Sequence, residues 1–196
     1  MQEALRTKSF WLISFGHASS VMVTATISVH LGLMLDDRGF SLQAISAVVA
    51  LYTAINTIFI LISGFLGDRL PIRLVAFWFS ILQALALVVL VIAHNTEMLF
   101  LFAVLFGIGR GFMPVTTAMR GIYFGRKAFA VITGVAKVPS NISVFTAPLF
   151  AGFIRDATGT YDVSFLTIAT ISAVGSLLFL LLGEPTRLSE QTARSS

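Results

Sequence analysis

Arg110 and Lys137 each stand inside a long apolar run, Met98–Phe124 and Phe129–Ile154, and neither run contains an acid. A guanidinium or ammonium among apolar side chains must find an anion, a carboxylate from elsewhere, or water. Thr133, Lys137 and Asn141 recur every fourth residue and share one helical face, with Ser140 beside them. Ser14, His17, Val21, Thr24 and Ser28 form a mostly polar stripe on another run. His17 can titrate near neutral pH and carry a proton, or simply hydrogen-bond. The chemistry on offer is the binding of an organic anion by Arg110 and Lys137, with Thr133, Asn141 and His17 as polar neighbours. The competing reading pairs these cations with backbone carbonyls or lipid phosphate. It is the preferred one for Arg120, which falls near the end of its run.

A second cluster lies in the turn Gly64-Phe65-Leu66-Gly67-Asp68-Arg69-Leu70-Pro71-Ile72-Arg73. Gly64 and Gly67 remove side-chain bulk where two helices approach. Asp68 falls near the start of the next run, where a helix dipole favours a carboxylate by ~0.3–1 kcal/mol. Pro71 suits a first helical turn. Arg69 and Arg73 can pair with Asp68 or with a helix end. A cluster of this kind, Gly64, Asp68, Arg69 and Arg73, can latch one state and release another; the plainer reading is a set of bases that fixes sidedness.

These residues need elements to hold them. Of the 196 residues, 57% are hydrophobic and 11% are charged; mean hydropathy is +0.92. A soluble domain carries about 25% charged residues. A bilayer core of ~30 Å needs roughly 20 apolar residues. Six runs of 20 to 27 residues qualify: Phe10–Leu35, Leu42–Leu66, Leu74–Ala93, Met98–Phe124, Phe129–Ile154 and Val163–Gly183. Lipid-exposed backbone must satisfy its own hydrogen bonds, so all six are expected as helices. The expected fold is an all-α integral membrane domain over residues 10–183, after a cytoplasmic segment 1–9 and before a disordered tail 184–196. The first run is too long for a signal-peptide core and reads as a retained helix. From Met98, Arg110 lies ~18 Å along its helix and Lys137 lies ~12 Å beyond Phe129.

Charge sets the orientation. With the N-terminus inside, nine of the 13 bases fall on inner ends and loops, and only Arg38 and Arg155 fall outside. That is a positive-inside pattern, with both termini cytoplasmic in a cell membrane. All nine acids lie in loops or ends. The chain also repeats weakly at an offset of 88 residues. Gly64-Phe65-Leu66-Gly67-Asp68 aligns with Gly152-Phe153-Ile154-Arg155-Asp156, and the first three run starts fall on or within one residue of the last three. Repeats of about 10–95 and 98–183, with three spans each, must be inverted in the membrane, a recurring transporter design. Gly152 and Asp156 become the outer counterpart of the inner turn.

With these residues in place, the chain resembles the C-terminal six-helix half of a major facilitator superfamily transporter. The family's loop signature, Gly-x-x-x-Asp-Arg-x-Gly-x-Arg-Arg, is met at Gly64, Asp68, Arg69 and Arg73, and departed from at Pro71 and Leu74. Tyr123-Phe124-Gly125-Arg126-Lys127-Ala128-Phe129, together with Pro148–Gly152 and Asp156–Tyr161, is similar to the oxalate/monocarboxylate branch. Leu5–Trp11 looks like the entry to the family's second half. That branch often places a base in the span equivalent to Leu42–Leu66; this chain has none there. The resemblance implies a secondary transporter of a small solute working by alternating access, with a gating role for the Asp68 loop. It also implies a missing partner: a second six-helix half or a homodimer. A truncated or non-transporting subunit is the alternative.

Other signals are set aside. Gly107-Ile108-Gly109-Arg110-Gly111 lies inside a span with no strand before it, so no dinucleotide loop is expected. There are no cysteines. No metal spacing and no Ser–His–Asp set is present, so no cofactor, metal, nucleic acid or enzyme activity is expected; the expected contacts are membrane lipid and a small-molecule substrate. Asn56 and Gln83 read as interhelical hydrogen bonds, and Pro114, Pro139 and Pro148 as places where spans bend.

Overall fold

Polar side chains set where the helices begin. In the computed structural model, which describes residues 2–125 and 129–183, a short helix α1 (Gln2–Leu5) is tied down by the Thr7 hydroxyl, which donates to the Ala4 carbonyl at 2.7 Å. The segment before the first span is therefore ordered, and Trp11 Nε1 donates to the Leu5 carbonyl. Thr7 then accepts from the Phe10 N–H and opens α2 (Lys8–Asp37). Ser41 does the same for α3 (Leu42–Arg69) and Asn95 for α5 (Thr96–Gly109). Between them lies α4 (Ile72–Val91), and after them α6 (Phe112–Phe124), α7 (Phe129–Thr158) and α8 (Asp162–Leu177). Gly39 and Gly159, both at φ +78°, supply the left-handed residue that ends α2 and α7.

No strand occurs among the described residues. Five helical stretches there are long and apolar enough to cross a membrane: α2, α3, α4, the α5–α6 pair and α7. The sixth run is regular helix for only 16 residues. Beyond Leu177 it tightens. The N–H groups of Leu178, Phe179, Leu180 and Leu182 each bond the carbonyl three residues back, a 3₁₀-like continuation. The tail 184–196 and the bases Arg126 and Lys127 lie outside the described residues.

The fourth run is one span in sequence but two helices in space. It breaks at Arg110–Gly111. Pro114 explains the position: its ring removes the hydrogen bond to the Arg110 carbonyl and crowds it. Pro139 and Pro148 sit inside α7, which continues through both.

Packing centres on α2 against α7 and α8, α4 against α5 and α8, and α3 against α5. Close approach needs small residues. At the α2–α8 crossing, a methyl on Gly16 would lie 2.8 Å from the Phe179 ring, and one on Gly175 would overlap Ser19. Two apolar clusters result. One holds Ile27, Leu31, Leu87, Leu90, Phe102 and Phe165. The other holds Phe10, Ile13, Phe79, Phe112, Met119 and Phe179. In contrast, α3 and α7 bury little, and leave Ile58, Leu61, Phe65, Phe145, Leu149 and Phe153 exposed.

Candidate functional site

Arg110 sits in the bend between α5 and α6, half-buried, with its guanidinium 5.8 Å from both the Tyr52 and Phe106 ring centroids. Three glycines seat this bend. A methyl on Gly107 would meet the Tyr52 carbonyl at 2.7 Å, one on Gly109 the Gln83 nitrogen at 2.8 Å, and one on Gly111 the Phe79 ring at 2.7 Å. The small residues of this span, Gly107, Gly111, Pro114 and Ala118, divide between two faces. Gly107 and Gly111 pack inward on α3 and α4. Pro114 and Ala118 instead line an open groove of about 730 Å³, with Met113, Thr117, Gly121 and Phe129. Gln83 makes its expected interhelical bond, Nε2 donating to Thr24 Oγ1 at 3.0 Å.

The second centre lies where α2, α6 and α7 meet. His17 is 6% exposed, and its Nδ1 is 2.9 Å from Thr116 Oγ1. The Thr116 hydroxyl is also 3.1 Å from the Met113 carbonyl. A hydroxyl has one proton; donated to that carbonyl, it leaves its oxygen to accept Nδ1–H from His17. Arg120 lies one turn below Thr116, and the α2–α7 register, with His30 against Pro148 and Asp37 against Arg155, sets Lys137 near the level of His17. Lys137 and Asn141 are exposed along α7, while Thr133 is half-buried with its hydroxyl unpartnered. So the structure brings His17 and Lys137 into one neighbourhood, with Thr133 one turn before Lys137. No hydrogen bond or ring contact joins Arg110 to that group among the described residues.

Arg120 corrects the sequence reading most sharply. It was expected at the lipid interface, yet it is 1% exposed. Among the described residues its Nε and Nη2 have no hydrogen-bond partner. The signal was available in sequence: Thr116 and Arg120 are four residues apart, on the face that carries Val115, Met119 and Tyr123 inward.

The turn at residues 64–73 is built differently from expectation. Asp68 lies inside the last turn of α3, at the negative end of a helix dipole rather than the positive end of the next. It is exposed and forms no ion pair among the described residues. The Arg69 guanidinium rests on the Phe65 ring at 4.2 Å. Arg73 makes the helix-end contact that the sequence allowed: Nη1 donates to the Leu182 carbonyl at 2.6 Å. Beside it the Tyr123 hydroxyl donates to the Gly183 carbonyl at 2.8 Å. A methyl on Gly64 would meet nothing within 4 Å, and one on Gly67 only Ile72 at 3.9 Å. Neither glycine is required for close packing within the described residues.

The other end of the bundle carries stronger polar ties. Arg38 donates from Nη1 to the Leu90 and Ala93 carbonyls, and from Nη2 to the Val91 carbonyl and to Asp162. Arg155 pairs with Asp37 at 3.1 Å and approaches Asp156 at 3.7 Å. Gly152 faces the His30 ring, 3.6 Å from where its Cβ would sit. Since a carbonyl only accepts, His30 Nε2 donates to Pro148 O at 2.9 Å. No group of three or more metal-ligating side chains occurs among the described residues.

The family model described as Major Facilitator Superfamily matches residues 13–196. The nitrite extrusion protein of Bacillus subtilis (strain 168) is 24% identical over 196 residues, covering 95% of this chain and 46% of that protein. Monocarboxylate transporter 14 of Homo sapiens is 29% identical over 110 residues, covering 56% of this chain and 21% of that one. Monocarboxylate transporter 13 of Rattus norvegicus is 24% identical over 158 residues, 79% of this chain and 37% of that one. The chain spans about half or less of the length of these curated relatives.

Proposed function

We propose, starting from the fact that this chain belongs to the Major Facilitator Superfamily, that it forms one six-helix half of a secondary transporter for a small organic anion. The observation that carries this reading is the imbalance of charge within the spans. Arg110 and Lys137 stand within spans, Arg120 is buried near the inner end of its own, and no span interior holds an acid. Burying such charge without a counter-ion costs ~2.5–3.5 kcal/mol per residue on insertion scales. A bound anion offsets that cost. The relatives named for nitrite extrusion and monocarboxylate transport are named for small anions, which supports the same class of solute.

The architecture supports an alternating mechanism. If α2, α3 and α4 exchange with α5–α6, α7 and α8, the contact of α2 with α7 becomes that of α5 with α3. The contact of α2 with α8 becomes that of α5 with α4, and the α4–α8 pair maps onto itself. All of these contacts occur, a two-fold exchange that supports reading the halves as paired three-helix repeats. The sixth span fits this scheme. Sixteen residues at ~1.5 Å and five more at ~2 Å give roughly 34 Å. Both termini then lie in the cytoplasm of a cell membrane. The exposed apolar faces of α3 and α7 fit a second six-helix half or a second copy. Asp68, free of ion pairs among the described residues, is available to latch onto a further group, with Gly64 leaving room for close approach.

The test is uptake of a labelled monocarboxylate by cells expressing the protein. Lys137→Ala is expected to abolish uptake while surface expression is retained. Unchanged uptake removes Lys137 from the site and contradicts the anion reading.

A further inference from the structure

We propose that the Arg120 guanidinium anchors a buried site for one small planar oxyanion, shared by α2, α6 and α7. The inference rests on the anion reading above and gives it an anchor that neither the loop signature nor the residues Arg110 and Lys137 supply.

The register of α2 against α6 places the groups. His17 lies against Thr116, and the Phe10 ring lies 6.0 Å from the Phe124 ring. The two helices are therefore antiparallel, and residue 14 stands across from residue 120. Ser14 is fully buried with an unpartnered hydroxyl. On α7, which also packs on α2 and α6, the Thr133 hydroxyl is buried and unpartnered too. Each of these groups can donate, and no acid lies on α2, α6 or α7 at this depth. A buried polar group without a partner loses ~1–3 kcal/mol, more if charged. Several such donors at one level of a three-helix junction call for one acceptor-rich occupant.

The geometry selects the shape of that occupant. The unpaired atoms of Arg120 are Nε and Nη2, one edge of the guanidinium, which presents two parallel N–H vectors. That edge matches two oxygens of a planar ion. Carboxylates and small inorganic oxyanions share this chemistry. An acidic side chain from a partner half fits less well, because Arg120 is 1% exposed and enclosed by its own half. A free ion of a few atoms needs far less opening than a side chain carried on another helix. Lys137 contributes long-range attraction from the rim.

The purified protein in detergent is titrated with sodium formate, acetate or nitrite, at ionic strength held constant with chloride, and its melting temperature is recorded. The wild-type protein is expected to melt higher in a saturable way with at least one of these. A response to formate and acetate but not nitrite identifies a carboxylate site, and the reverse an inorganic one. Arg120→Met is expected to fold, with a baseline melting temperature at or above wild type because an unpaired charge is gone, and to lose the ion response. Arg120→Lys keeps the charge but not the fork, and is expected to bind about tenfold to a hundredfold more weakly. If Arg120→Lys responds as wild type does, the assignment is overturned while the anion reading survives. If no ion stabilises the wild-type protein, both fall. If Arg120→Met instead loses association with a second six-helix half and keeps the ion response, the partner of Arg120 is an acidic side chain and the assignment is wrong.

Discussion

Arg38→Met should be among the most destabilising substitutions on the surface of this bundle, although Arg38 looks like one half of an ordinary ion pair. Its guanidinium, 22% exposed, is 2.6 Å from Asp162. The same guanidinium also reaches the carbonyls of Leu90, Val91 and Ala93 at 2.9, 2.9 and 3.2 Å. Leu90 O keeps another donor, the Ala93 N–H. The carbonyls of Val91 and Ala93 end α4, and both residues are buried. Stranding two buried carbonyls at ~1–3 kcal/mol each gives a loss of about 2–6 kcal/mol. For a chain of this size that corresponds to a fall in melting temperature of roughly 4–24 °C. Asp162→Asn removes the ion pair but leaves the carbonyl contacts, so it should cost less than about 1 kcal/mol. Arg155→Met, which breaks the exposed pair with Asp37, should leave melting nearly unchanged. The assay is thermal unfolding in detergent, followed by circular dichroism, on all three variants. Equal losses in Arg38→Met and Asp162→Asn would refute the carbonyl-capping argument and return the stability to the ion pair.

Gly109→Ala should lower stability by about 1–3 kcal/mol, because its methyl would meet backbone atoms of Gln83 and Phe79 at 2.8 and 3.0 Å that cannot step aside. Gly64→Ala, open on all sides within the chain, should leave melting unchanged; a drop of several degrees would mean that Gly64 packs inside the half after all. Asp68→Asn should slow uptake by about tenfold, the loss of one charge-assisted contact made in a single state, with little change in substrate affinity as read by binding titration. Equal losses in rate and affinity would contradict a latch.

What could be read from the sequence follows from length and polarity. The helices at Leu42–Arg69 and Phe129–Thr158 were legible because an apolar run between polar caps has few alternatives in lipid. The break at Arg110–Gly111 was half-legible: Pro114 announced it, but a proline acts on the carbonyl four residues earlier, so the bend lies a turn before its cause. Gln83 found the interhelical partner expected of it, whereas Asn56, read the same way, leaves its Nδ2 without a partner among the described residues. Arg120 was misplaced because depth alone put it near an interface. Burial depends on which face of α6 turns inward, and the four-residue spacing of Thr116 and Arg120 on the face of Val115, Met119 and Tyr123 marks it. The contacts of Arg38 were invisible in sequence, since its acceptors are backbone carbonyls more than fifty residues away.

The central claim, that this protein moves a small organic anion between cations held inside its spans, is tested most directly by exchange in proteoliposomes. Vesicles loaded with an unlabelled monocarboxylate are diluted into the labelled one, and entry of label is followed at equal concentrations on both sides. Label is expected to enter rapidly with wild-type protein and not with Lys137→Ala. Failure to exchange any organic anion, in vesicles where the same protein exchanges a neutral or cationic solute, would contradict it.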